Sequence, residues 1–120
     1  NTGLYNCFLE YLDLSNNIIE IIEIEAFNCS NNLEKLFLSN NRFRFIDIFK
    51  LDYFKNLDFF EIENTGLETF TNFKMIGTKI NQLNLKNNKI TYLNEDFFFS
   101  LILLEKLFLS NNQISKIHIR

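Results

Sequence analysis

The sequence predicts an α/β solenoid: an arc of stacked coils with a parallel β-sheet on its concave side and irregular or short-helical segments on its convex side. Three observations predict it. A pattern of the form LxxLxLxxN recurs at near-constant spacing, further apolar sites recur in step behind it, and an Asn column follows four of the five expected strands. Self-similarity at a period of 20–50 residues is the signature of such arrays.

The pattern begins at Leu9, Leu33, Leu57, Ile80 and Leu104, with steps of 24, 24, 23 and 24 residues. Its instances read Leu9, Leu12, Leu14, Asn17; Leu33, Leu36, Leu38, Asn41; Leu57, Phe60, Ile62, Thr65; Ile80, Leu83, Leu85, Asn88; and Leu104, Leu107, Leu109, Asn112. Residues 1–120 therefore read as one domain. Residues 1–8 are the tail of a preceding repeat, and the repeat starting at 104 is incomplete.

Within LxL the apolar period is two, which is a strand with its Leu side chains on one face. One coil cannot bury that face alone. Stacking the next coil on it makes a parallel ladder and a continuous core. Behind each strand, Ile19 and Ile22 recur as Phe43 and Ile46, Leu67 and Phe70, Ile90 and Leu93, and Ile114 and Ile117; a later site holds Phe27, Leu51, Met75 and Phe98. Each buried Leu, Ile or Phe contributes about 1.5–3 kcal/mol.

The Asn column has its own reason. The backbone turns sharply after the strand, and an amide side chain both donates and accepts. Asn17, Asn41, Asn88 and Asn112 can satisfy loop groups that would otherwise be buried unpaired. Thr65 lacks that double capacity. Its repeat is one residue short and contains Gly66, so this coil is expected to be irregular, with a local kink or a weaker ladder. On the convex side, Asn94 before Glu95-Asp96-Phe97 reads as a helix N-cap, with the two acids complementing the helix N-terminus.

Composition narrows the function. The net charge is −3, and 12 basic residues are dispersed along the chain. No basic footprint for nucleic acid results. The longest uncharged apolar stretch, Phe97 to Leu104, is interrupted by Ser100 and is far shorter than the about 20 residues of a span; no membrane contact by this segment is expected. His118 is the one His, there is no CxxC pair, and no nucleophile-base set or glycine-rich phosphate loop is visible. No enzyme, cofactor or metal site is expected.

Residues between the buried strand positions face the concave surface. One column holds Tyr11, Lys35, Phe59, Gln82 and Lys106, the next Asp13, Phe37, Glu61, Asn84 and Phe108, and a third Ser15, Ser39, Glu63, Lys86 and Ser110. Tyr11, Asp13, Lys35, Phe37, Phe59, Glu61, Asn84, Lys106 and Phe108 are the candidate partner-contacting set. Solenoids bind on such surfaces, and large aromatics are hot-spot residues. The mixed charges suit a polar protein partner.

The pattern resembles the leucine-rich repeat family over residues 9–120. The 24-residue period with Phe27 and Phe98 at the late apolar site resembles the "typical" subclass, common in animal extracellular proteins such as Toll-like receptors, adhesion proteins and neuronal guidance molecules. Runs such as Ala26-Phe27-Asn28-Cys29-Ser30 and Leu109-Ser110-Asn111-Asn112 are similar to arthropod members. The resemblance implies an extracellular or cell-surface segment that binds a protein ligand or co-receptor, with an intracellular, cytoplasmic scaffold or regulatory subunit as the alternative. Two features depart from the family. Glu23, Asp47, Thr71 and Asn94 stand where members often carry Pro, and the cysteine-rich flanking caps are missing. The chain opens Asn1-Thr2-Gly3 and stops mid-repeat at Arg120, so flanking repeats in a longer parent are expected. A piece with both coil faces uncovered is expected to aggregate or pair end to end.

Asn28-Cys29-Ser30 is an N-glycosylation sequon placed behind the strands, where a glycan would leave the concave face open. Cys7 and Cys29 lie nearly one coil apart, which permits either a disulfide or two packed thiols.

Overall fold

In a computed structural model, residues 8–23, 27, 31–43, 54–68 and 79–117 are described. The expected features at Cys7, Asn28, Cys29, Ile46, Leu51, Phe70, Met75 and His118 lie outside them.

Each LxL segment forms a three-residue strand: β1 (Tyr11–Asp13), β2 (Lys35–Phe37), β3 (Phe59–Glu61), β4 (Gln82–Asn84) and β6 (Lys106–Phe108). They join in one parallel five-stranded sheet in the order β1-β2-β3-β4-β6. The register follows the repeat: Leu12, Leu36, Phe60, Leu83 and Leu107 are cross-strand partners in turn. Parallel neighbours need a long return path, and here each coil supplies it.

The inward residues make one core. Leu36, Leu38, Leu57, Phe60, Ile62, Leu83 and Leu85 have no exposed surface. Leu9, Leu12 and Leu14 at one end and Leu104, Leu107 and Leu109 at the other are partly exposed and pack against that core. Among the described residues, each end coil has a stacked strand on one side only.

The convex side carries the helix that the sequence predicts. Helix α1 (Glu95–Ser100) is capped by Asn94, whose Oδ1 accepts from Phe97 N–H at 3.0 Å. Glu95 and Asp96 lie in its first turn, at the positive end of the helix dipole. Phe97 is buried in the core, a placement the repeat spacing does not mark. A second parallel pair, β5 (Tyr92–Leu93) with β7 (Lys116–Ile117), joins the return segments of adjacent coils. It too goes beyond the sequence reading.

The turn after each strand uses two adjacent residues. The first of them, Asn16, Asn40, Asn64, Asn87 or Asn111, has φ between 55° and 61°. Asn tolerates this left-handed conformation better than most residues. The second is the column the sequence marks, and it ties coils together. Asn41 Nδ2 donates to Leu38 O of its own coil and Leu14 O of the coil before, while its Oδ1 accepts from Ile19 N–H. Asn112 repeats this with Leu109 O, Leu85 O and Ile90 N–H. Asn88 donates to Leu85 O and Ile62 O and accepts from Thr65 N–H, Thr65 Oγ1 and Leu67 N–H.

Thr65 donates to Asn88 but, among the described residues, makes no such tie to the coil before it. Among the described residues, neither Thr65 nor Gly66 bonds to Phe43. The corresponding N–H groups of Arg42, Lys89 and Gln113 each reach the coil before at 2.8–2.9 Å. Gly66 adds a further left-handed residue, φ 76°. The strand ladder itself continues through this coil without a break.

Candidate functional site

The alternation of the strands places the candidate residues on one sheet face, and all nine are described. Tyr11 and Phe108 are exposed, at 55% and 41%, and Lys35, Asp13 and Lys106 are exposed as well. Phe37, Phe59 and Glu61 are half-buried, and Asn84 is buried. Exposure therefore falls towards the middle of the sheet, which the alternation alone does not indicate.

The cause is contact between rings on neighbouring strands. Phe37 lies diagonally between Tyr11 and Phe59, with centroid distances of 5.1 Å to each and interplanar angles of 39° and 35°. Tilted pairs at this distance are favourable. The result is an aromatic ribbon across β1, β2 and β3. Lys35 places its Nζ 5.8 Å from the Phe59 ring centre, and Lys86 does the same over Phe108. Lys35 also meets Asp58 at 3.5 Å. That pair is exposed and worth little on its own.

Beside the ribbon is a polar cluster. Ser39 Oγ donates to Glu61 Oε2 at 2.8 Å and accepts from Glu63 N–H at 3.0 Å. Asn84 Nδ2 donates to Glu61 Oε1 at 3.2 Å and Glu63 Oε2 at 3.0 Å, while its Oδ1 accepts from Lys86 N–H. Asn87 Nδ2 holds the other Glu63 oxygen at 2.9 Å. Neutral donors thus fix both carboxylates on the sheet face, and neither has an ion pair among the described residues. Asn84, placed among the contact candidates by sequence, acts as the brace of this cluster. Asp13 sits at the sheet's end. The backbone N–H of Ser15, 2.9 Å away, and then its side chain hold the Asp13 carboxyl below its ordinary range.

Three features of this face escape a reading of the motif alone. Ser39, in a column expected to face solvent, is 4% exposed. Glu63 is drawn into the cluster. The left-handed Asn residues form a ladder of their own: Asn40 Nδ2 donates to Asn16 Oδ1 and Asn64 Nδ2 to Asn40 Oδ1 at 2.7 and 2.9 Å, and Asn87 then turns to Glu63. The signal for it is the Asn pair after the strand, of which the first member demands positive φ.

Among the described residues, no three or more His, Cys, Asp or Glu side chains gather as a metal site, and no helix is long and apolar enough to cross a membrane. The chemistry of the face is contact chemistry: rings, flanking ammonium groups and oriented carboxylates.

The family profile described as Leucine Rich Repeat matches residues 8–30, 32–57 and 103–120. No curated protein matches the chain significantly.

Proposed function

The chain belongs to the leucine-rich repeat family, and from that premise we propose that it binds a protein ligand or co-receptor on its concave sheet, as part of an extracellular receptor or adhesion ectodomain. Repeats of this family are in general protein–protein interaction modules and non-enzymatic scaffolds. The observation that carries the reading is the aromatic ribbon of Tyr11, Phe37 and Phe59, with Phe108 further along the same face. Tyr, Trp and Arg lead among interface hot spots, and aromatics are enriched at interfaces generally. Phe37 is already ordered by its two neighbours, so little side-chain entropy is lost on binding.

The flanking charges set a polar rim. Asp13, Glu61 and Glu63 interleave with Lys35, Lys86 and Lys106. A face of mixed sign favours a partner with its own mixed, complementary pattern over a lipid or a polyanion. The 24-residue period and the sequon at Asn28 support the extracellular assignment.

The test is a binding screen of the displayed chain against secreted and cell-surface proteins. Any binder is then measured against Phe37→Ser, Phe108→Ser and the convex Phe99→Ser. Loss of about tenfold or more in affinity is expected for the first two and none for the third. Equal affinity for all four chains would sink the concave-face reading.

A further inference from the structure

The charged groups of the concave face are matched unequally. Lys35 has both a carboxylate and a ring: its Nζ lies 3.5 Å from Asp58 Oδ1 and 5.8 Å from the centre of the Phe59 ring. Lys86 turns to Phe108, with its Nζ 5.8 Å from that ring's centre, and makes no ion pair with Glu63 among the described residues. Lys106 stands on β6 beside Gln82. Asp13, on β1, accepts from Ser15 N–H. Glu61 and Glu63 therefore bring two negative charges to the middle of the sheet, and the side chains that reach them there are neutral donors.

Those donors hold the carboxylates without using them up. Glu61 Oε1 accepts from Asn84 and Oε2 from Ser39, while Glu63 Oε1 accepts from Asn87 and Oε2 from Asn84. A carboxylate has about four acceptor sites, so each oxygen has capacity for a second donor. Both side chains are half-buried and fixed at both oxygens. Little freedom is lost when a further donor arrives. The two carboxylates also share the Asn84 amide, which keeps like charges close together. A cation brought to both is favoured.

The aromatic ribbon lies within reach of the same cation. Glu61 is the cross-strand partner of Phe37 and follows Phe59 by two residues on its own strand, so the three side chains share one face. Lys35 already covers Phe59, which leaves Phe37 as the ring beside the carboxylates. An ammonium is a compact point charge. A guanidinium is planar, stacks flat on a ring and presents a fork of donors to a carboxylate at its edge.

On the premise that the partner binds the concave sheet, we propose that it inserts an arginine at the step between Phe37 and Glu61. The guanidinium stacks on Phe37 and directs its N–H groups to Glu61 and Glu63, and an adjoining apolar side chain of the partner rests on the ribbon. A partner with an acidic side chain at this step meets two carboxylates and is rejected.

The probe is acetyl-Phe-Arg-amide, titrated into the whole isotope-labelled chain and followed by NMR. Saturable shifts are expected at the Asn84 and Asn87 side-chain amides and at Phe37 and Glu61 N–H. The citrulline analogue has nearly the same shape without the charge and binds about tenfold more weakly. Glu61→Gln keeps an acceptor, loses the charge, and brings the two peptides to equal affinity. Equal affinity of the two peptides for the native chain, or no saturable shift at the cluster, overturns the arginine assignment whatever the variant does. Phe37→Ser separates this from the premise. Peptides that lose affinity to Phe37→Ser without preferring arginine overturn the assignment and leave the concave-face reading standing. Peptides whose affinity Phe37→Ser leaves unchanged overturn both.

Discussion

Asn88 and Asn17 occupy the same motif position with unequal surroundings, and that contrast can be measured. Asn88 is 6% exposed and Asn17 is exposed. Replacing Asn88 by Ala strands Thr65 N–H, Leu67 N–H and Ile62 O between two coils. A buried polar group left without its partner costs about 1–3 kcal/mol. Partial relaxation and shared acceptors keep the total below the sum, at about 3–5 kcal/mol. Asn17→Ala removes bonds to Leu14 O and Ser15 O that water replaces, so it costs less than about 1 kcal/mol. Urea unfolding followed by far-ultraviolet circular dichroism, with the slope checked for constancy, reads both values. Equal losses for the two variants, or a loss below about 1 kcal/mol for Asn88→Ala, would refute the view that the column acts by satisfying buried backbone.

Thr65→Asn should do the reverse and stabilise the chain by about 1 kcal/mol, since an amide can reach Leu38 O and Phe43 N–H as Asn41 reaches its own pair; the unfolding midpoint reports it. Asn94→Ala removes the cap on Phe97 N–H and should cost about 1 kcal/mol, with helical signal lost before the sheet melts. Carboxyl titration by NMR should place Asp13 below its ordinary 3.8. A carboxyl depressed in the folded state adds stability above its unfolded value and loses it as pH falls through the folded one. The effect therefore lies below about pH 4, and a midpoint at or above 3.8 contradicts the Ser15 hydrogen bond.

Much of the fold is legible because one periodicity does two jobs. LxL sets which side chains enter the core, and the step of 24 or 23 sets which strand positions meet. Leu12 faces Leu36 because both hold the same motif site. The Asn94 cap is equally local, needing three residues of sequence. What stayed hidden depends on lateral reach. Phe37 is half-buried because its ring leans across two strands, and Ser39 is buried because Glu61 and Glu63 close over it. Neither follows from alternation, which assigns a face and not a tilt. The β5–β7 pairing depends on return segments whose paths have no sharp motif. Asn16, Asn40, Asn64, Asn87 and Asn111 were in plain view, but their role comes from backbone angle rather than from residue type.

The junction before Thr65 is held unevenly. On the sheet side Ser39 stitches it to Glu61 and Glu63. On the turn side Asn64 still reaches Asn40, but the ties that Asn41 and Arg42 make at the junction before are missing among the described residues. The side-chain bonds described at this junction therefore gather at the edge of the sheet, beside the place where the ribbon passes from Phe37 to Phe59.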